Sequence, residues 1–293
     1  MPIKNPLRYP GAKSKLSDYI QNLILLNNLD GCTFYEPYAG SAAISFKLLE
    51  NDIVSKVKIN ELDPLIYYFW LSVMHYTEDL IDLIRNTPVC LETWHEKSLY
   101  RNKDFLLDKA PVEIGFAGLF LNRTNFSGIL KANPLGGLKQ TSKYTIDCRY
   151  NKDKLIKSIS QLSKYRDKVD IYNLDAITFM QKETRYKRNH STFVYIDPPY
   201  FDKGPSLYRY SYNTNMHHSL STYIKRKGFP WLISYDDQPE IRKMYKSRNQ
   251  QQIYLDYSVK TSKKGRELLI SNLEIPPAEA QLSFNWIEKT AST

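Results

Sequence analysis

Asp197-Pro198-Pro199-Tyr200 sets an acid and an aromatic ring at the two ends of a rigid turn, directly after the β-branched and aromatic run Thr192-Phe-Val-Tyr-Ile. Two consecutive prolines fix φ and remove two backbone donors, so the carbonyl before each proline faces outward without a local partner. An acidic side chain and an outward carbonyl together accept both hydrogens of an exocyclic amino group, and a neighbouring ring stacks on the base that carries it. The turn suits a planar aminated base. A rigid Pro-Pro turn closing a buried strand is the plain alternative.

A second constellation lies in Thr33-Phe-Tyr-Glu-Pro-Tyr-Ala-Gly-Ser-Ala-Ala. Here a strand ending at Glu36 runs into a tight turn at Gly40 and then into a helix expected from near Ser41, the place where open α/β sheets bind ligands. Gly40 lets backbone approach a ligand, and the helix N-terminus offers free N–H groups; an ordinary βα turn reads the same way. Asn60-Glu61-Leu62-Asp63 follows about twenty residues later, where dinucleotide-type folds place an acid on ribose hydroxyls. Glu61 is the better-placed acid, and a solvated acidic turn is the alternative.

Other chemistry is not indicated. Cys32, Cys90 and Cys148 are odd in number and widely separated, which reads as a reducing cytoplasm and no cysteine-built metal site. His217-His218 has no ligand partners at metal spacing, and the charged stretch from Lys182 to His190 reads as a solvated helix end and loop. No metal is expected.

Lys+Arg 41 against Asp+Glu 31 leaves a net charge of +10, beside 23 tyrosines. Basic side chains neutralise phosphates and aromatic faces stack on bases, so nucleic acid is the leading partner class, with a solvated basic surface as the alternative. The 293 residues hold 42% hydrophobic residues, enough for a real core. The richest apolar run, Ile66 to Met74, is half the ~18 to 20 residues that span a bilayer, so a soluble protein with no membrane partner is expected.

The elements that must position these residues are short β-type runs alternating with helical stretches: Thr33-Phe-Tyr-Glu, Lys56-Val-Lys-Ile, Val169-Asp-Ile-Tyr, Thr192-Phe-Val-Tyr-Ile, Trp231-Leu-Ile-Ser-Tyr, Gln252-Ile-Tyr-Leu-Asp-Tyr and Leu268-Leu-Ile-Ser-Asn. The first five are each followed by a helical pattern, as parallel βα units require. The last two are joined around Thr261 to Gly265 and predict an antiparallel hairpin edge. The alternation fails from Pro64 to Lys168, where helical patterns (Pro64 to His75, Leu91 to Leu107, Pro111 to Leu121) precede a loop from Thr124 to Tyr150. An inserted, mainly helical domain fits that gap. The expected division is thus 1–63 with 169–293 as one domain and 64–168 as the insertion.

Leu7-Arg8-Tyr9-Pro10-Gly11-Ala12-Lys13, Phe34-Tyr35-Glu36-Pro37-Tyr38-Ala39-Gly40 and Asp197-Pro198-Pro199-Tyr200, in that order, resemble the DNA adenine-N6 methyltransferases of the Dam-like, D12, alpha-group class. Asn122-Arg123-Thr124-Asn125-Phe126-Ser127-Gly128 resembles the family's DNA-contacting loop, so the likeness covers most of the chain. Ala42 stands where the Gly-x-Gly turn usually has its second glycine, Ala12 replaces a glycine, Tyr9 a tryptophan and Glu61 an aspartate. A β-carbon at Ala42 bears on cofactor affinity more than on activity.

The resemblance implies a Rossmann-like seven-stranded S-adenosylmethionine-dependent sheet with a helical target-recognition insertion. Tyr9 and Lys13 would close over the methionine end of the cofactor, Glu36 would sit near its amino group and sulfonium, Gly40 would lie under it, and Tyr38 and Ser41 would also bind it. Glu61 would take the ribose, Asp175 the adenine amino group, and Asp197 would lie between cofactor and substrate. Asp197, Pro198, Pro199 and Tyr200 would carry catalysis on a flipped adenine of double-stranded DNA, releasing S-adenosylhomocysteine. Asn122, Arg123, Asn125, Ser127, Lys139 and Arg149 would contact nucleic acid, with Lys131 and Lys143 as further phosphate candidates. One chain with an asymmetric insertion can methylate one strand at a time, so a monomer is expected, in the cytoplasm of a prokaryotic or phage-infected cell; with no nuclease-type acidic cluster in the sequence, any restriction endonuclease would be a separate chain. Two other classes stay open on the residues: an N-methyltransferase of RNA or another planar amine, and a nucleic-acid-binding protein that keeps the fold without strong catalysis.

Overall fold

A computed structural model of the chain describes residues 3–8, 16–184, 191–202, 209–259 and 261–277, with backbone alone at 254–259 and 261–265. Its strands are β1 (Thr33–Glu36), β2 (Lys56–Asn60), β3 (Val169–Tyr172), β4 (Thr192–Ile196), β5 (Trp231–Asp236), β6 (Asn249–Val259) and β7 (Thr261–Ser271). They form one seven-stranded sheet in the order β3-β2-β1-β4-β5-β7-β6. β1 pairs in parallel with β2 on one side and with β4 on the other, so the strand order reverses between β1 and β4. That reversal is the switch point at which open sheets bind ligands beyond the carboxyl ends of their strands. Tyr35 is in register with Val194, so Glu36 and Asp197 emerge from neighbouring strands at the same end.

The strands read as near-continuous apolar runs because both faces of a central parallel sheet are covered. All five residues of β4 are buried, and Phe34 packs on Phe193 and Tyr195 at ring separations of 5.7 and 6.4 Å. β6 and β7 form the expected antiparallel hairpin, with one correction: Val259 pairs with Thr261, so Thr261 to Gly265 belongs to β7 and not to the connection.

The helices are α1 (Ser17–Leu26), α2 (Ala43–Glu50), α3 (Pro64–His75), α4 (Thr77–Asn86), α5 (Leu91–Ser98), α6 (Pro111–Thr124), α7 (Lys152–Leu162), α8 (Ala176–Glu183), α9 (Thr214–Lys225) and α10 (Pro239–Met244). α3 starts where a proline needs no partner for its nitrogen and Asp63 accepts a hydrogen bond from the Leu65 N–H at 3.1 Å. α6 packs against it so closely that a Cβ on Gly115 or Gly118 would stand 2.4 or 2.2 Å from a backbone oxygen of Tyr68 or Leu65. The helix expected over Leu91 to Leu107 is shorter, ending at Ser98 and continuing as single 3₁₀ turns at Leu99–Arg101 and Asp104–Leu106. α4 and α7 lie in the stretch where periodicity alone named only three helices.

The chain divides into two compact units, one of Met1–Ala12, Glu61–Asn173 and Leu207–Arg209, the other of Lys13–Asn60, Leu174–Ser206 and Tyr210–Thr293. The first holds α3 to α7; the second holds β1, β2 and β4 to β7. No helix among the described residues is long and apolar enough to cross a membrane.

Candidate active site

Asp197 leaves β4 with its carboxylate held: Oδ1 accepts the Ser234 hydroxyl at 2.8 Å, and that hydroxyl meets the Tyr195 hydroxyl at 2.8 Å. Pro198 is buried, while Asp197, Pro199 and Tyr200 are partly exposed. The Tyr200 hydroxyl donates to Glu267 Oε1 at 2.9 Å. The turn that the sequence marks is therefore rigid at both ends, held by side chains from β5 and β7 as well as by its prolines.

The β1 turn is held from beneath. Gly40 and Ala42 both adopt left-handed backbone, at φ +48° and +47°, and α2 begins only at Ala43, two residues later than the expected start near Ser41. An alanine in that conformation is strained, which explains why a second glycine suits this place. Gly40 and Ser41 are buried, and Tyr38 is half-buried. Glu36 is buried at the end of β1 and its Oε2 accepts the Ser45 hydroxyl at 2.5 Å. A buried carboxylate costs desolvation energy that a cationic ligand group offsets. The backbone-lined turn, the acid behind it and the start of α2 fit a ligand carrying positive charge and a polar chain, as S-adenosylmethionine does.

Asn60, last residue of β2, is the site residue that motif reading passes over. It is 1% exposed, and its Nδ2 donates to the carbonyls of Pro37 and Leu174, each at 3.0 Å, while its Oδ1 accepts the Leu174 N–H at 2.9 Å. Its own carbonyl accepts the Ala39 N–H at 3.0 Å. One amide thus ties the glycine turn to the residue just before Asp175. The signal was an amide at the carboxyl end of a buried strand, a type that pays for burial only when fully bonded. Asp175 itself is exposed and caps α8, its Oδ1 accepting from the Ile177 and Thr178 N–H groups at 3.0 and 3.1 Å.

Around the turn lies an aromatic cluster. The Tyr38 and Tyr212 hydroxyls meet at 2.7 Å, and burial pushes Tyr38 well above the usual phenol range and Tyr212 up to about 12. His217 packs on Phe201, Tyr212 and Tyr235 at ring separations of 5.2, 5.4 and 5.5 Å. Burial lowers its pKa to about 4, and its Nδ1 lies 2.9 Å from the Tyr235 hydroxyl. Tyr212, in the tyrosine-rich stretch that follows the Pro-Pro turn, is buried core.

In the other unit, Glu61 occupies a bonded corner: its Oε1 accepts the Asp63 N–H at 3.1 Å and its carbonyl accepts Asn173 Nδ2 at 2.6 Å. Tyr9 and Lys13 lie outside the described residues.

Two of the nucleic-acid candidates require correction. Asn122 is fully buried: Oδ1 accepts the Arg8 N–H at 2.7 Å, and Nδ2 donates to the carbonyls of Arg8 and Gly128 at 2.9 and 3.0 Å. Asn125 is fully buried as well, accepting Trp94 Nε1 at 2.7 Å and donating to the carbonyls of Ile129 and Leu130 at 2.9 and 3.0 Å. Their amides shape the loop that follows α6 and are not presented to a base edge. Ser127 sits in that loop in left-handed conformation, at φ +55°, and is partly exposed.

Four of the cationic candidates face outward, and Arg123 is partly buried. Lys131, Lys139, Lys143 and Arg149 are exposed. Arg123 Nε donates to the Arg149 carbonyl at 2.9 Å, and its pKa falls to about 10 through burial first and then the field of Arg8. Burial and then Arg149 lower Arg8 as well. Three mutually repelling guanidiniums form a concentration of positive charge that an anion relieves. Arg8 was legible only as part of a motif, because its closeness to Arg123 and Arg149 is tertiary.

Comparison with known proteins gives these features a context. The family model described as D12 class N6 adenine-specific DNA methyltransferase matches residues 9–286. Type II methyltransferase M.MjaIII of Methanocaldococcus jannaschii is 24% identical over 93% of this chain and 85% of its own length. Type II methyltransferase M.CviBI of Paramecium bursaria Chlorella virus NC1A is 23% identical over 83% of this chain and 86% of its own. A solved structure from Pyrococcus horikoshii, described as an RNA methyltransferase, aligns over 94% of this chain and 93% of that one, at 11% identity and a TM-score of 0.41.

Proposed function

The chain belongs to the D12 class of N6 adenine-specific DNA methyltransferases, and from that membership we propose that it methylates N6 of an adenine flipped out of double-stranded DNA, using S-adenosylmethionine. The observation that carries this reading is the pairing of β1 with β4, which brings the Glu36–Gly40 turn and the Asp197–Tyr200 turn to the same end of the sheet at its switch point. S-adenosylmethionine supplies, when bound, an electrophilic methyl group on a sulfonium. Glu36 accepts the cofactor's cationic end, while Tyr38, Gly40 and Ser41 form its floor. Asp175 serves the cofactor's adenine amino group, Glu61 the ribose, and Tyr9 and Lys13 keep the roles that the resemblance gives them.

N6 of adenine is stacked and paired in a duplex, so the base must leave it, at a cost of a few kcal/mol. Tyr200 stacking returns about 1 to 3 kcal/mol of that. The N6 lone pair of aromatic adenine is delocalised into the ring. By accepting one N–H each, the Asp197 carboxylate and the Pro198 carbonyl favour a pyramidal nitrogen whose lone pair points at the methyl group. Ser234 fixes the acid that does this. Residues 64–168 serve target recognition, with Arg123, Arg149, Lys139 and Ser127 toward DNA and Arg8 joining the first two on phosphate. The type II naming of the relatives supports a place as the modification half of a restriction system; the reading extends to a monomer acting in a prokaryotic or phage-infected cytoplasm, with any endonuclease a separate chain. Asp197→Ala tests the reading: methyl transfer is lost while duplex DNA binding persists, and full activity in that variant refutes it.

A further inference from the structure

Two carboxylates from neighbouring strands grip the three residues that leave the Pro-Pro turn. Asp236 of β5 and Glu267 of β7 are opposite one another in the antiparallel ladder, so their side chains stand on one face of the sheet. Glu267 accepts the Tyr200 hydroxyl at 2.9 Å. Asp236 accepts the Phe201 N–H on Oδ1 at 2.9 Å and the Asp202 N–H on Oδ2 at 3.3 Å. Acids directly opposite each other weaken a sheet, and Glu267, 2% exposed, carries the added cost of a buried charged group. A strand built only for stability would hold apolar residues there.

A tyrosine ring swings about two side-chain torsions, and a bond at its hydroxyl, the point farthest from the backbone, removes that freedom. We propose that Glu267 is a positioning residue that sets the plane of the Tyr200 ring for the aminated base, with Asp236 holding the backbone beneath it. This rests on the reading of Tyr200 as the stacking partner of the target adenine. The role proposed for Glu267 runs through its bond to the Tyr200 hydroxyl and not through contact with the reacting atoms.

Steady-state methyl transfer to methyl-free duplex DNA tests it in Tyr200→Phe, Glu267→Gln, Glu267→Met and the Tyr200→Phe, Glu267→Met double variant. Tyr200→Phe keeps the stacking ring and deletes the bond; kcat is expected to fall roughly ten- to a hundredfold, with KM for S-adenosylmethionine unchanged. Glu267→Met falls alike, Glu267→Gln retains an acceptor and most of the activity, and the double variant is no slower than the slower single one. Wild-type kcat in Tyr200→Phe, or losses that multiply in the double variant, overturns the proposal. If Glu267→Met does not fold, Tyr200→Phe, short of one oxygen atom, decides alone. A wild-type protein that transfers no methyl to adenine refutes the underlying reading instead, whereas an active wild type with uncoupled variants removes only the positioning role.

Discussion

Asn60→Ala should damage the cofactor floor more than any change to a residue that the motifs name. The substitution deletes three side-chain hydrogen bonds, to the Pro37 carbonyl and to both backbone groups of Leu174, at 2.9 to 3.0 Å. With the amide 1% exposed, water has no ready access to replace them. At about 1 kcal/mol per lost bond, the cost is about 3 kcal/mol. For a protein of this size that lowers the melting temperature by roughly 6 to 12 °C. Because the same amide holds the turn bearing Gly40 and the residue before Asp175, S-adenosylmethionine should also bind at least about tenfold more weakly, the loss expected when about 1.4 kcal/mol of preorganisation is gone. Asn60→Asp should be no better, since it turns a carboxylate oxygen toward two carbonyl oxygens. Thermal melts and calorimetric titration with cofactor check both arms. An Asn60→Ala protein with unchanged melting temperature and unchanged affinity would refute the claim that this amide organises the floor.

Three further outcomes follow from the same geometry. Ala42→Gly relieves a left-handed backbone at φ +47° and should stabilise the protein by about 0.5 to 1 kcal/mol after the entropy of the added glycine is counted, read as a higher melting temperature. His217 has a folded pKa of about 4 against an ordinary 6.5, so the unfolded chain takes up its proton first as pH drops. Its contribution is whole above 6.5 and is lost as pH falls toward 4; in His217→Phe the melting temperature should depend less on pH across that window. Arg149→Ala should lower the slope of log binding constant against log salt for duplex DNA by about 0.9, whereas an unchanged slope would mean that Arg149 meets no phosphate.

What the sequence disclosed follows from how local each signal is. The seven strands were legible because apolar runs of four to six residues punctuated by Gly, Pro and Asn are short-range features, and the two marked turns were legible because prolines and glycine act on their own backbone. α4 and α7 are less legible because charged residues on one face offset the Leu and Ile on the other, whereas α3 and α6 are apolar over most of their length. Asn122 and Asn125 have the side chains that read base edges, and only the fold reveals that their amides are spent on Arg8, Gly128, Trp94, Ile129 and Leu130. Asn60 carried only the weak signal of an amide at a strand end, and Ser234, Asp236 and Glu267 none. Their bonds span 23 to 114 residues of chain, separations that no spacing rule covers.

The most direct measurement is transfer of a labelled methyl group from S-adenosylmethionine to methyl-free duplex DNA, with single-stranded RNA in parallel, followed by mapping of the modified base. N6-methyladenine within one short duplex sequence, with RNA unlabelled, is the predicted result. Label in RNA alone, or no label in either polymer from folded protein that binds both DNA and cofactor, would contradict it.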